Sequence, residues 1–81
     1  METLSQIVRK HRRTANLTQA ELAKLAGVGK TVVFDLESGK ASIRFDTLRK
    51  ILEVLNISME FRSPLLAPTP LEMGSPPHEK D

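Results

Sequence analysis

"TQAELAKLAGVGKTVVFDLESGK", residues 18–40, decides the fold. It contains Gly29-Lys30-Thr31, the ending of a phosphate-binding loop of the form G-x-x-x-x-G-K-[ST]. Such a loop wraps a phosphate with backbone N–H groups and sits between a strand and a helix. Its first glycine belongs at position 24, which is Lys24 here, and residues 18–26 are strong helix formers rather than a buried strand. Thr18 and Glu21 have the spacing of a capping box, so a helix is predicted over 19–26, ended by Gly27. A second helix is predicted over 30–37, with Gly29 at its N-cap and Gly39 able to turn left-handed after Ser38. Leu22, Ala23, Val28, Val33 and Leu36 face inward across this pair. ATP chemistry is set aside, and Lys30 and Thr31 become the exposed start of a helix.

Two more helices flank the pair. Residues 4–15 carry Leu4, Ile7, Val8, His11 and Ala15 on one face, capped by Thr3 with Gln6, and "RKHRR" (9–13) lines the remainder with positive charge. Here His11 is expected at the core edge. Residues 45–55 carry an apolar stripe of Phe45, Leu48, Ile51, Leu52 and Leu55, and Asp46 suits the positive end of that helix. "ISMEFR" (57–62) then alternates Ile57, Met59 and Phe61 with polar residues, the period of a half-buried strand. No second strand is read, so this one needs a partner for its backbone groups. All five prolines (64, 68, 70, 76, 77) fall in 63–81, which is expected to be a disordered tail without helix or sheet.

Composition bounds the function. Eighty-one residues allow one small domain. There is no cysteine and the two histidines are far apart, so no metal site, disulfide or cofactor is expected. No apolar run reaches membrane-span length and no signal peptide is read, which with the lack of cysteine suits a reducing cytosol. No serine is read beside a base, so no enzyme is expected. Residues 1–62 hold 11 Lys/Arg against 7 Asp/Glu, whereas 63–81 hold one against three. A basic body of this kind fits a polyanion partner as well as an ordinary solvated surface.

The central pair forms a helix–turn–helix whose second helix can enter a DNA major groove, with flanking basic residues near phosphates. Leu17, Thr18-Gln19, Glu21-Leu22-Ala23, Ala26-Gly27, Val33, Leu36-Glu37, Gly39-Lys40 and the later apolar stripe together resemble the phage repressor/Cro-like (XRE) helix-turn-helix family over about residues 4–55. Arg44 departs from it, standing where a small capping residue is common. The strand that follows makes the chain similar to HipB-type antitoxins, partners of HipA-type kinase toxins. The resemblance implies an all-α, lambda repressor-like four-helix domain over 1–62, with the short strand 57–62 pairing across a homodimer through Ile57, Met59 and Phe61. It implies a bacterial cytoplasmic, nucleoid-associated repressor that binds double-stranded operator DNA and a toxin. A stand-alone regulator with no toxin stays open beside it.

The resemblance further implies base-edge contacts from Lys30, Thr31, Phe34 and Asp35, with Phe34 outward and suited to a thymine methyl or a protein partner. By the same resemblance Gln19 bonds a phosphate at a helix start. Thr18 is mainly a cap with a second role at phosphate, and Lys40 and Arg44 are candidate phosphate clamps. The resemblance likewise implies that Arg12 and Glu37 pair and tie the first helix to the recognition helix. Leu65-Leu66 and Leu71-x-Met73 are apolar islands in the acidic tail, suited to a partner or to no role.

Overall fold

The computed structural model describes residues 2–40 and 42–71. Its elements run α1 (Leu4–Thr14), α2 (Gln19–Ala26), α3 (Lys30–Glu37), α4 (Phe45–Val54), β1 (Glu60–Ser63) and β2 (Leu66–Pro70). Helices α1 and α2 open with complete capping boxes, Thr3 with Gln6 and Thr18 with Glu21. Each such cap is worth about 1 kcal/mol to a short helix.

All four helices stop in the same way. The residue after the last turn is left-handed at Asn16 (φ 61°), Gly27 (φ 72°), Gly39 (φ 85°) and Asn56 (φ 61°). The next N–H reaches back to a helix carbonyl: Leu17 to Arg12, Val28 to Ala23, Lys40 to Asp35 and Ile57 to Leu52, at 2.9–3.1 Å. This is the Schellman pattern, in which the residue after the left-handed turn usually packs back on its helix. Leu17, Val28 and Ile57 do so against the core. Lys40 occupies the same place after α3 and is exposed instead.

Val8, Leu22, Ala23, Val33, Leu36, Leu48, Ile51, Leu52 and Leu55 form one aliphatic core shared by all four helices. A fully buried side chain of this size contributes about 1.5–3 kcal/mol. Five members of the expected stripes lie outside it: Leu4, Ile7, His11 and Ala15 of the first helix stripe, with Leu4 and Ala15 exposed and Ile7 half-buried, and Phe45 of the fourth. Phe45 is 55% exposed because it sits on the first turn of α4, beyond the core that begins one turn later at Leu48. The expectation of His11 at the core edge is also corrected. It is exposed, with Nδ1 2.7 Å from the Ile7 carbonyl oxygen.

The strand differs most from expectation. The chain from Ile57 to Met59 is not a strand, because the turn at Asn56 ends α4 and drops Ile57 and Met59 onto the core. Of the three expected strand residues only Phe61 lies in β1, and β1 pairs antiparallel with β2 of its own chain. The reading of 63–81 as a tail without sheet is therefore corrected through Pro70, while residues 72–81, including Met73, lie outside the described residues.

Proline placement explains how β2 forms. The Leu71 N–H donates to the Met59 carbonyl at 2.6 Å, so Met59 and Leu71 are a hydrogen-bonded pair. By alternation Glu60/Pro70 is a non-hydrogen-bonded pair and Phe61/Thr69 a bonded one. Pro70 thus stands where no ladder N–H is needed. Pro68 falls in the irregularity between the Phe61 and Ser63 pairings, a bulge that places two β2 residues opposite Arg62. Pro64 opens the turn, where its fixed φ is favourable, and the Ser63 hydroxyl accepts from the Leu65 N–H at 3.0 Å.

Candidate nucleic-acid interface

Helix α3 is built to be read from outside. Val33 and Leu36 are buried on one side, while Lys30, Thr31 and Phe34 are exposed on the other and Asp35 is half-buried. Phe34 is 56% exposed. An exposed phenyl on a helix whose neighbours are packed gains nothing for the isolated fold. The start of α3 is also locally unfavourable. Gly29 gives no side-chain cap, the first turn has no acid, and Lys30 adds a positive charge at the positive end of the helix dipole. Helix α2, by contrast, has both cap and acid. The free N–H groups and the lysine of α3 therefore converge on a place suited to an anion or a base edge.

Around this face the other expected residues fall as follows. Thr18 is engaged as the N-cap of α2, accepting from the Glu21 N–H at 3.0 Å. Lys40 is exposed, with its ammonium 3.7 Å from Asp35. Arg44 is exposed and donates to Asp46 at 3.3 Å. That hydrogen bond is the first cause holding the Asp46 carboxyl below its ordinary value. Both ion pairs are solvated, so either acid gives way readily to a phosphate. Asp35 and Arg44 also line a shared recess of about 220 Å³ between α3 and α4, with Ser42 and Thr47.

Arg12 and Glu37 form the expected pair, and it is nearly dry: their side chains are 11% and 2% exposed. Arg12 Nε and Nη2 donate to the two carboxylate oxygens of Glu37 at 2.6 and 2.9 Å, and Nη1 donates to the Leu17 carbonyl at 2.8 Å. Arg9 Nη2 adds a bond to the Glu37 main-chain carbonyl at 3.3 Å. Burial alone pushes the Glu37 carboxyl up. Hydrogen bonds from Arg12 and Gln19 and the charges of Arg12 and Arg9 outweigh it, leaving the group below its ordinary value. The hydrogen bond to Glu37 raises Arg12 in turn, against burial.

Gln19 is the residue the sequence reading placed only in part. It opens α2 as expected, and its Nε2 donates to Glu37 Oε1 at 3.2 Å. Nothing in the local sequence signals that contact, since Gln19 and Glu37 are 18 residues apart. Among the described residues no helix is long and apolar enough to cross a membrane.

The comparisons with known proteins agree with this fold. The helix-turn-helix family model HTH_3 matches residues 8–61. An uncharacterized HTH-type transcriptional regulator of Sinorhizobium fredii, y4mF, is 38% identical over 58 residues, which are 72% of this chain and 76% of that protein. Among solved structures, the biofilm master regulator SinR in complex with DNA superposes with a TM-score of 0.64 at 26% identity. It covers 69% of this chain and 90% of its own. A chain of the HipA–HipB–O2–O3 complex superposes with a TM-score of 0.63 at 25% identity, covering 79% of this chain and 94% of its own.

Proposed function

The chain belongs to the helix-turn-helix family and is a DNA-binding transcriptional regulator, and from that premise we propose that it represses its own promoter as a dimer and acts as the antitoxin of a HipA-type kinase toxin. The observation that carries the DNA part is the uncapped, lysine-bearing start of α3 with its exposed face. Lys30, Thr31, Phe34 and Asp35 read base edges; Thr18, Gln19, Lys40, Arg44 and the start of α2 hold phosphates. Lys40 is the sharpest of these assignments. It stands where the other three helices place an apolar plug, so packing does not explain it.

The likeness to a HipA–HipB complex chain along 94% of its length supports the antitoxin role. A stand-alone cytoplasmic regulator is the second reading, favoured by the y4mF and SinR likenesses. Co-purification with the product of the adjacent reading frame separates the two. A kinase-fold protein that stays bound through gel filtration supports the antitoxin, and no bound protein favours the second reading.

DNA recognition by this face has a charge signature. Each phosphate neutralised makes the logarithm of the binding constant fall by about 0.9 per logarithm of salt. Lys40→Ala is expected to weaken operator and random DNA alike and to lower that slope by about 1. Lys30→Ala is expected to cost about 1–3 kcal/mol on operator DNA and much less on random DNA. Fluorescence anisotropy across a salt series measures both. Salt-insensitive binding by the wild type would sink the mechanism.

A further inference from the structure

We propose that Gln19 is a positioning residue that sets the placement of the α2 start against α3 by donating to Glu37, and so governs operator discrimination. The proposal rests on the DNA-binding reading above. Glu37 is almost wholly enclosed and is bonded by three side chains from two helices. Arg12 comes from α1, Arg9 reaches its main-chain carbonyl from the same helix, and Gln19 comes from the first turn of α2. The Arg12 guanidinium also pins the Leu17 carbonyl, immediately before the α2 cap. One node therefore joins α1, the entry to α2 and the end of α3.

Gln19 is the only link in this node that runs from α2 to α3 directly. It ties the first turn of α2, where a phosphate would sit, to the last turn of α3, whose other end faces the bases. An amide nitrogen carries two N–H groups. One is spent on Glu37, and the other remains for a phosphate oxygen. A phosphate held there would be held at a distance from α3 fixed by the buried carboxylate. Specific DNA requires both helix starts in register with the duplex, whereas loosely bound random DNA requires only charge. Loosening Gln19 should thus penalise operator more than random DNA.

The test compares Gln19→Ala, Gln19→Asn and Gln19→Glu in thermal unfolding, and in anisotropy titrations on operator and random duplexes well below the unfolding temperature. Gln19→Ala is expected to lose about 3–10-fold in operator affinity, the worth of one hydrogen bond, with a smaller loss on random DNA. Gln19→Asn keeps an amide at the helix start but falls one methylene short of Glu37, so it should behave as alanine. Gln19→Glu sets a second carboxylate against Glu37 and should unfold at a clearly lower temperature than Gln19→Ala. Failure of Gln19→Glu to fold at all supports the contact, and the other two variants then carry the DNA measurement.

Three kinds of result overturn the proposal. One is an unfolding temperature of Gln19→Glu equal to wild type, which removes the contact. Another is an equal loss on operator and random DNA, or full wild-type discrimination by Gln19→Asn, which makes Gln19 a plain phosphate ligand. The third is unchanged operator affinity in Gln19→Ala, which leaves a structural tie only. A wild type that shows no preference for operator fails the DNA-binding reading itself, while the unfolding comparison still decides the contact.

Discussion

Arg12→Ala should destabilise the domain by about 3–5 kcal/mol, while Arg13→Ala one residue away should cost less than about 0.5 kcal/mol. Both are arginines in the last turn of α1, where either suits the helix dipole equally. They differ in what they face. Arg13 is exposed, whereas removal of Arg12 leaves the Glu37 carboxylate enclosed with only Gln19 and the Arg9 charge to compensate it. For a domain of this size the loss is a large share of total stability, and much of Arg12→Ala should be unfolded at 37 °C. Urea titration followed by circular dichroism measures the difference. Equal, small losses in the two variants would remove the pair from the fold's energetics.

The pair also sets how stability responds to acid. In the folded chain the Glu37 carboxyl lies below its ordinary value, and in the unfolded chain it returns to that value. The unfolded state therefore binds the proton more readily, and stability falls with falling pH. The contribution is complete above the ordinary carboxylate range and is lost as pH drops through that range to the folded value. Without Arg12 the opposing hydrogen bond and charge are gone and burial dominates, which moves the carboxyl upward. Arg12→Ala should then gain stability between neutral and mildly acid pH, where wild type gains none. A reversed slope in that window is a stronger sign of the buried pair than the size of the loss.

Residues 18–40 were legible because three of the four helix ends there are written locally. Thr18 with Glu21, Gly27 and Gly39 are caps whose chemistry acts within four residues, and the structure has all of them. Periodicity also located the inner faces of α2 and α3, with Leu22, Val33 and Leu36 buried. It failed for Leu4, His11, Ala15 and Phe45, since a stripe gives direction around a helix but not where the core stops along it. It failed again at Ile57 and Met59. Their alternation is that of a strand, yet Asn56 in a left-handed turn sends them onto the core as the final plug of α4. The second strand was hidden because proline content alone was read as forbidding sheet. What matters is which edge each proline faces, and that follows from register, a property of two segments together. The Gln19–Glu37 contact was hidden for the same reason.

On the proposed dimer, Glu60→Pro is expected to leave the protein monomeric and to cut operator affinity by about 10²–10⁴, because two linked recognition helices bind far more tightly than one. The reasoning starts from the hairpin. A two-stranded sheet is marginal by itself in water, and here β1 buries no side chain, with Phe61 61% exposed. Another strand on an open edge would add stability to it. The outer edge of β2 is closed to pairing, since Pro70 turns its missing N–H outward and Pro68 sits in the bulge. On the outer edge of β1 the main-chain groups of Glu60 point away from β2, because Glu60/Pro70 is the non-hydrogen-bonded pair. A twin-related β1 can add there, giving a four-stranded sheet with the proline-bearing strands outermost, and the two exposed Phe61 side chains would lie near the join. Proline at 60 removes one outward N–H without touching the Met59/Leu71 and Phe61/Thr69 pairs that hold the hairpin. The helical core should be unaffected, since Glu60 is exposed and contributes nothing to it. Analytical ultracentrifugation with circular dichroism separates the two effects. A monomer with wild-type helical stability is the expected outcome. A dimer that survives Glu60→Pro with unchanged operator affinity places the interface elsewhere on the molecule.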